Sequence, residues 1–120
     1  MASANMPTTE RPERYLFICG QNKWRSPTAE ALFADVEGVE AISAGTNHDA
    51  ETCVSGDLIE WADVIYVMER KHAKKVKAAF ADLLKSTPLH VLGIADNYPF
   101  MDERLVGVIK SKFPRWFAGN

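Results

Sequence analysis

Four short apolar runs rich in β-formers punctuate this chain, and amphipathic stretches fill the gaps between them. The runs cover residues 15–18, 39–43, 63–68 and 89–94, each about strand length. Between the first two, Ala29, Leu32, Phe33 and Val36 recur at helical spacing, and Gly38 supplies a helix stop. Leu58, Ile59, Glu60 and Trp61 form a short helical turn ahead of the third strand. After it, Val76, Phe80, Leu83 and Leu84 mark the apolar stripe of a helix over 69–84, with Lys71, Lys74, Lys75 and Lys77 on its solvated side. Pro88 breaks the chain before the fourth strand. Leu105, Ile109, Phe113 and Trp116 then carry a last helix, for which Asp102 is a suitable N-cap. Strand and helix alternate throughout, which predicts a parallel sheet with right-handed crossovers.

The chemistry gathers where the first strand ends. Residues 19–27 read Cys-Gly-Gln-Asn-Lys-Trp-Arg-Ser-Pro, with Ser26 placed as an N-cap and Pro27 as a first helical residue. A helix N-terminus offers unpaired N–H groups and the positive end of its dipole, so it favours an anion. The amides of Gly20, Gln21, Asn22, Lys23 and Trp24 can extend that site as a concave nest. The same field favours a thiolate at Cys19. Arg25 supplies a rigid fork of donors for two phosphate oxygens, and Ser26 a hydroxyl near the sulfur. Asn22 tolerates the left-handed backbone that so tight a loop often needs. Thiolate and guanidinium on one phosphate-sized loop point to nucleophilic attack on phosphorus.

Cys-x5-Arg-Ser-Pro-Thr-Ala-Glu-Ala, over residues 19–31, resembles the low-molecular-weight protein tyrosine phosphatases, which share a fold with certain arsenate reductases. Three further stretches look like that family in the same order: Ser43-Ala44-Gly45-Thr46, the run 61–68, and Ile94-Ala95-Asp96. The likeness spans roughly residues 14–117 of a chain shorter than a typical member. It implies a three-layer α/β/α sandwich whose four-stranded parallel sheet has the order 2-1-3-4, with a phosphate-binding loop after strand 1. It implies Cys19 as nucleophile, Arg25 as phosphate clamp and Asp96 as general acid, with Asp102 an alternative acid on the same loop. Asp96 is preferred because it directly follows a strand, whereas Asp102 has a capping role open to it. Ser43 and Asn22 are the expected braces of the loop. His72 falls in a first helical turn and is expected at the surface or in a cap.

Some positions depart from the family. Gln21 and Trp24 stand where it usually has glycine and a second cysteine, and Asn97 stands where proline usually follows the acid. Lys23 and Trp24 give the mouth a cation and an aromatic wall, with Tyr98 and Phe100 as further candidate walls. Such walls suit a phosphotyrosine ring, and they would also suit a nucleobase.

Composition narrows the class further. At 120 residues and a formal net charge of −2 the chain is long enough for a real core and argues against a nucleic-acid surface. No apolar run approaches the ~20 residues of a membrane span, and no signal-peptide core opens the chain, so it reads as cytoplasmic. Residues 1–13 are small, polar and proline-containing, an expected disordered lead-in to a single domain over 14–120. Cys19 and Cys53 are neither a disulfide framework nor a zinc pattern, and no metal or other cofactor is expected. The expected activity is cysteine-dependent phosphomonoester hydrolysis, with a phosphorylated protein or small aryl phosphate as substrate. The alternatives are a non-catalytic module that binds a phosphorylated ligand, and an arsenate-reductase-like thiol enzyme with Cys53 as second thiol.

Overall fold

Strand β1 (Glu13–Cys19) is the centre of the molecule, and residues 15–19 of it are all buried. The computed structural model describes residues 11–117. On one side β1 pairs in parallel with β2 (Val39–Gly45), which sets Cys19 opposite Gly45. On the other side it pairs with β3 (Val64–Val67), and β4 (Leu89–Val91) pairs with β3. All pairs are parallel and the order is β2-β1-β3-β4, the 2-1-3-4 arrangement expected from the sequence.

Side chains alternate across the sheet, so β1 serves two cores at once. Tyr15, Phe17 and Cys19 face a layer made by α1 (Arg25–Phe33), α4 (Glu103–Lys112) and the short α5 (Pro114–Phe117). Leu16 and Ile18 face α2 (Gly56–Trp61) and α3 (Arg70–Phe80), from which Ile59, Ala73 and Val76 are buried. The first core is aromatic. Phe17 stacks on Phe33 at 5.5 Å, and Phe113 meets Phe33 edge-on at 5.1 Å and Tyr66 at 4.9 Å. Such pairs contribute about 0.5–1.5 kcal/mol beyond the area they bury. Burial also pushes the Tyr66 phenol up to about 12, so it stays neutral.

The element limits differ from the sequence expectation in instructive ways. Helix α1 ends at Phe33, and Gly38 (φ +96°) instead turns the chain into β2 while its carbonyl accepts the Glu13 N–H at 3.0 Å. The helix expected over 69–84 stops at Phe80, and a 3-10 turn, Leu83–Ser86, carries the remaining apolar residues. Pro114 ends α4, because a proline disfavours helical geometry in the residue before it; Phe113 sits at φ −130°, ψ 62°. Of the expected lead-in, residues 1–10 lie outside the described residues, and Glu13 already belongs to β1. Among the described residues no helix is long and apolar enough to cross a membrane.

Candidate active site

Cys19 is the last residue of β1, and the loop that follows it folds back over its sulfur. Asn22 adopts φ +58°, the left-handed turn, which aims its N–H at Cys19 Sγ from 3.2 Å. Ser26 Oγ lies 3.0 Å from the same sulfur and 3.0 Å from Asn22 Oδ1. This triangle suits both states of the thiol. A thiol donates to Ser26 Oγ while the serine proton goes to Asn22; a thiolate receives the serine proton and the Asn22 N–H together.

Ser26 was expected to cap α1, but the helix begins two residues earlier than that, at Arg25, with Trp24 as N-cap and no side-chain cap bond. The serine hydroxyl is committed to the sulfur and Asn22. No side-chain cap therefore competes for the amides of the first turn, the groups an anion needs.

Arg25 is only 4% exposed. Its Nη1 donates to Glu69 Oε2 and to the Ile94 carbonyl, both at 2.7 Å, and its Nε lies 3.7 Å from Asp96 Oδ1. Burial alone would raise the Glu69 carboxyl. The Arg25 hydrogen bond and the charges of Arg25 and Lys71 outweigh it and hold Glu69 below its ordinary value. Glu69 and Ile94 each follow a strand at the edge of the sheet where β1 ends in Cys19, so three connections converge on one guanidinium.

Cys19, Trp24, Arg25 and Asp96 line a common cavity of about 440 Å³. Gly20, Gln21 and Lys23 line it as well, while Asn22 turns inward, 5% exposed, as a brace. Asp96 is exposed, with its carboxylate beside Arg25 Nε. Asp102 is elsewhere: it caps α4 by accepting the Arg104 N–H at 2.8 Å and pairs with the Arg104 side chain.

Solved structures share this architecture. The tyrosine phosphatase Wzb from Escherichia coli K30, solved with phosphate, superposes with a TM-score of 0.67 at 22% identity, covering 88% of this chain and 96% of that one. SP-PTP, a low molecular weight protein tyrosine phosphatase from Streptococcus pyogenes, gives 0.67 at 15% identity over 86% and 92%. The YwlE arginine phosphatase from Geobacillus stearothermophilus gives 0.64 at 23% identity over 83% and 85%. The fold is that of the low-molecular-weight phosphatases. No family model and no curated protein sequence matches the chain.

Within this phosphatase fold, two expected site residues take other places. Ser43 does not brace the loop: its Oγ and its N–H both donate to Glu30 Oε1, the latter at 3.0 Å, which ties β2 to α1. Tyr98 is no wall of the cavity. It packs against the aromatic core with the Arg104 guanidinium 5.3 Å above its ring, which leaves Trp24, 45% exposed, as the aromatic wall.

The loop is buttressed instead by residues 45–51. Thr46 N–H donates to the Cys19 carbonyl at 2.9 Å, Asn47 N–H to Gly20 at 3.0 Å and Glu51 N–H to Gln21 at 3.2 Å. This approach requires glycine at 45, where a β-carbon would stand 2.4 Å from the Gly20 carbonyl oxygen.

Sequence reasoning missed Glu69, and for His72 it foresaw a cap but not a place on the cavity. They form a capping box at the start of α3, in which Glu69 N–H donates to His72 Nδ1 at 3.1 Å. His72 is buried and lines the cavity, and its Nε2, itself buried, has no hydrogen-bond partner among the described residues. Burial, and then the nearby Arg25 charge, push it down to about 4. The signal for both was Glu-x-x-His directly after a strand that ends at the ligand edge of the sheet.

Proposed function

We propose that this protein hydrolyses phosphomonoesters through a cysteinyl-phosphate intermediate, acting on phosphotyrosine or another aryl phosphate. The observation that carries the reading is the Cys19 sulfur held between the Asn22 N–H and the Ser26 hydroxyl, in one cavity with Arg25. In the first step the Cys19 thiolate attacks phosphorus, an S–P bond forms and the P–O bond to the leaving group breaks. Asp96 gives its proton to the departing oxygen. Arg25 and the loop amides hold the equatorial oxygens as their charge redistributes. In the second step water attacks phosphorus, Asp96 takes a proton from it, and the S–P bond breaks. The returning thiolate is received by the Ser26 O–H and the Asn22 N–H.

Geometry weighs against the redox alternative. Cys53, the only other cysteine in the chain, lines a different cavity and directs its thiol at the His48 carbonyl, 3.3 Å away. A free thiol nucleophile works best in a reducing compartment, which supports a cytoplasmic location. The aromatic wall at Trp24 and the lysines on the cavity favour an aryl phosphate over a cationic phosphoguanidine.

The test is turnover of p-nitrophenyl phosphate by the reduced protein. Wild type should release nitrophenol, Cys19→Ser should release none, and Asp96→Asn should fall by roughly 10²-fold or more. Asp102→Asn should retain activity. Phosphate binding without turnover at any acidic or neutral pH would overturn the reading in favour of a non-catalytic binding module.

A further inference from the structure

Beside Gly20 the cavity is lined by residues whose buried donors meet no acceptor among the described residues. His72 is 2% exposed, and because its Nδ1 accepts the Glu69 N–H, its neutral ring carries the proton on Nε2. Among the described residues that Nε2–H has no partner, and neither has the buried hydroxyl of Thr46, a residue that lines the same cavity. Asn47 spends its Oδ1 on Lys75 Nζ at 3.2 Å, which leaves its amide hydrogens. Asn47 Nδ2 and His72 Nε2 close on one spot, 3.6 and 3.8 Å from where a β-carbon of residue 20 would stand.

A buried polar group left without a partner costs about 1–3 kcal/mol. Here two such groups, an amide and an ammonium share one wall, and none of them is needed by the phosphate that the loop and Arg25 hold. Lys71 and Lys23 are exposed on the same cavity, and Asp96 is the one acidic residue lining it among the described residues. The whole chain is net negative, so this positive patch is local. What completes the wall is an acceptor with negative charge.

We propose that Thr46, Asn47, His72 and Lys75 form a second anion subsite that takes a carboxylate flanking the phosphorylated side chain. The substrate is then an acidic phosphopeptide. The proposal rests on the phosphatase reading above and adds the class of substrate to it.

Two phosphotyrosine peptides, identical except for Glu or Gln on both sides of the phosphorylated residue, test it. Wild type should turn over the Glu peptide with a kcat/KM about tenfold higher, the size of one charge-assisted hydrogen bond. Added salt should shrink that ratio. Lys75→Gln and Thr46→Val should each bring it toward one, and the His72 Nε2–H proton resonance should move on adding the Glu peptide but not the Gln peptide. Equal kcat/KM for the two peptides, or a ratio that neither variant changes, overturns the subsite. p-Nitrophenyl phosphate has no flank and reports the phosphate loop separately. If no substrate turns over, the phosphatase reading fails by itself. The affinities of the two peptides for the Cys19→Ser protein, read by fluorescence anisotropy, then decide the subsite: tighter binding of the Glu peptide supports it and equal binding overturns it.

Discussion

The floor and the wall of this cavity are built on opposite terms. On the floor, Cys19, Asn22, Arg25 and Ser26 are each at most 5% exposed, and each directs a polar side-chain group at another part of the chain. On the wall, Thr46 Oγ1 and His72 Nε2 are buried with nothing to bond, and the lysines beside them stand in solvent. A satisfied buried network is rigid and costly to perturb, whereas an unsatisfied one gains when a ligand arrives. The floor is thus organised before substrate binds, and the wall is finished by the substrate. Changes to the floor should therefore affect every phosphoester equally, and changes to the wall should affect only the choice among them.

The sharpest way to break that contrast is Arg25→Lys. Lysine keeps the charge but cannot reach Glu69, the Ile94 carbonyl and a phosphate together with one planar fork. We expect kcat/KM to fall by roughly 10²–10³-fold or more. The fall should be the same for p-nitrophenyl phosphate and for peptides, as steady-state kinetics would reveal. A loss confined to peptides would place Arg25 with the wall.

Gly45→Ala attacks the floor from beneath. Its methyl would press on the Gly20 carbonyl oxygen at 2.4 Å and on the Ala50 β-carbon at 2.6 Å. Two stretches of backbone must part, at a cost of about 1–3 kcal/mol or more. A lower urea midpoint together with lost turnover is the expected result. Retained activity at full stability would mean that residues 45–51 do not set the loop.

Acid should distinguish the wall from the rest of the molecule. His72 is held at about 4, below the ordinary value near 6.5, first by burial and then by Arg25, while Glu69 opposes the shift and Lys71 and Lys75 add to it. Between those values the unfolded chain takes up a proton that the folded chain refuses. The contribution is therefore fully present above about pH 6.5 and is lost as pH falls toward 4, with a slope of at most about 1.4 kcal/mol per pH unit. Asp63, which hydrogen bonds from Arg11 hold down to about 2, responds only at lower pH. Thermal melts should show stability declining through the upper window, and His72→Gln should flatten the decline.

What could be read in the sequence was local or periodic. Leu16, Phe17 and Ile18 announce a strand buried on both faces, and Cys19 to Arg25 form a loop whose chemistry is contained in adjacent residues. What could not be read depends on which distant groups the fold brings together. Arg25 meets Glu69 across 44 positions and the Ile94 carbonyl across 69. Ser26 was a fair N-cap by local rules and lost that role because a sulfur and an asparagine offered its hydroxyl a buried use. Tyr98 is aromatic and near Asp96 in sequence, but the aromatic core and Arg104 claim it. His72 was expected at the surface or in a cap; it is in a cap, and the capping box turns its ring inward.

Ser43 gives the smallest test and marks where the floor stops. It is 5% exposed within β2, and the resemblance to the phosphatase family made it an expected brace. Its hydroxyl and its N–H instead share Glu30 Oε1, a contact between strand and helix. Ser43→Ala removes one of those two donors and leaves the carboxylate with the other, so the cost should be about 0.5–1.5 kcal/mol. Because no bond to Cys19, Asn22 or Ser26 is broken, turnover of p-nitrophenyl phosphate should stay within about twofold of wild type, less than the loss of one ordinary hydrogen bond in the transition state. The two readouts must be taken together. A drop in urea midpoint with unchanged kcat confines the floor to the loop and α1, whereas a fall in kcat at unchanged stability would extend it into β2 and restore Ser43 as a brace.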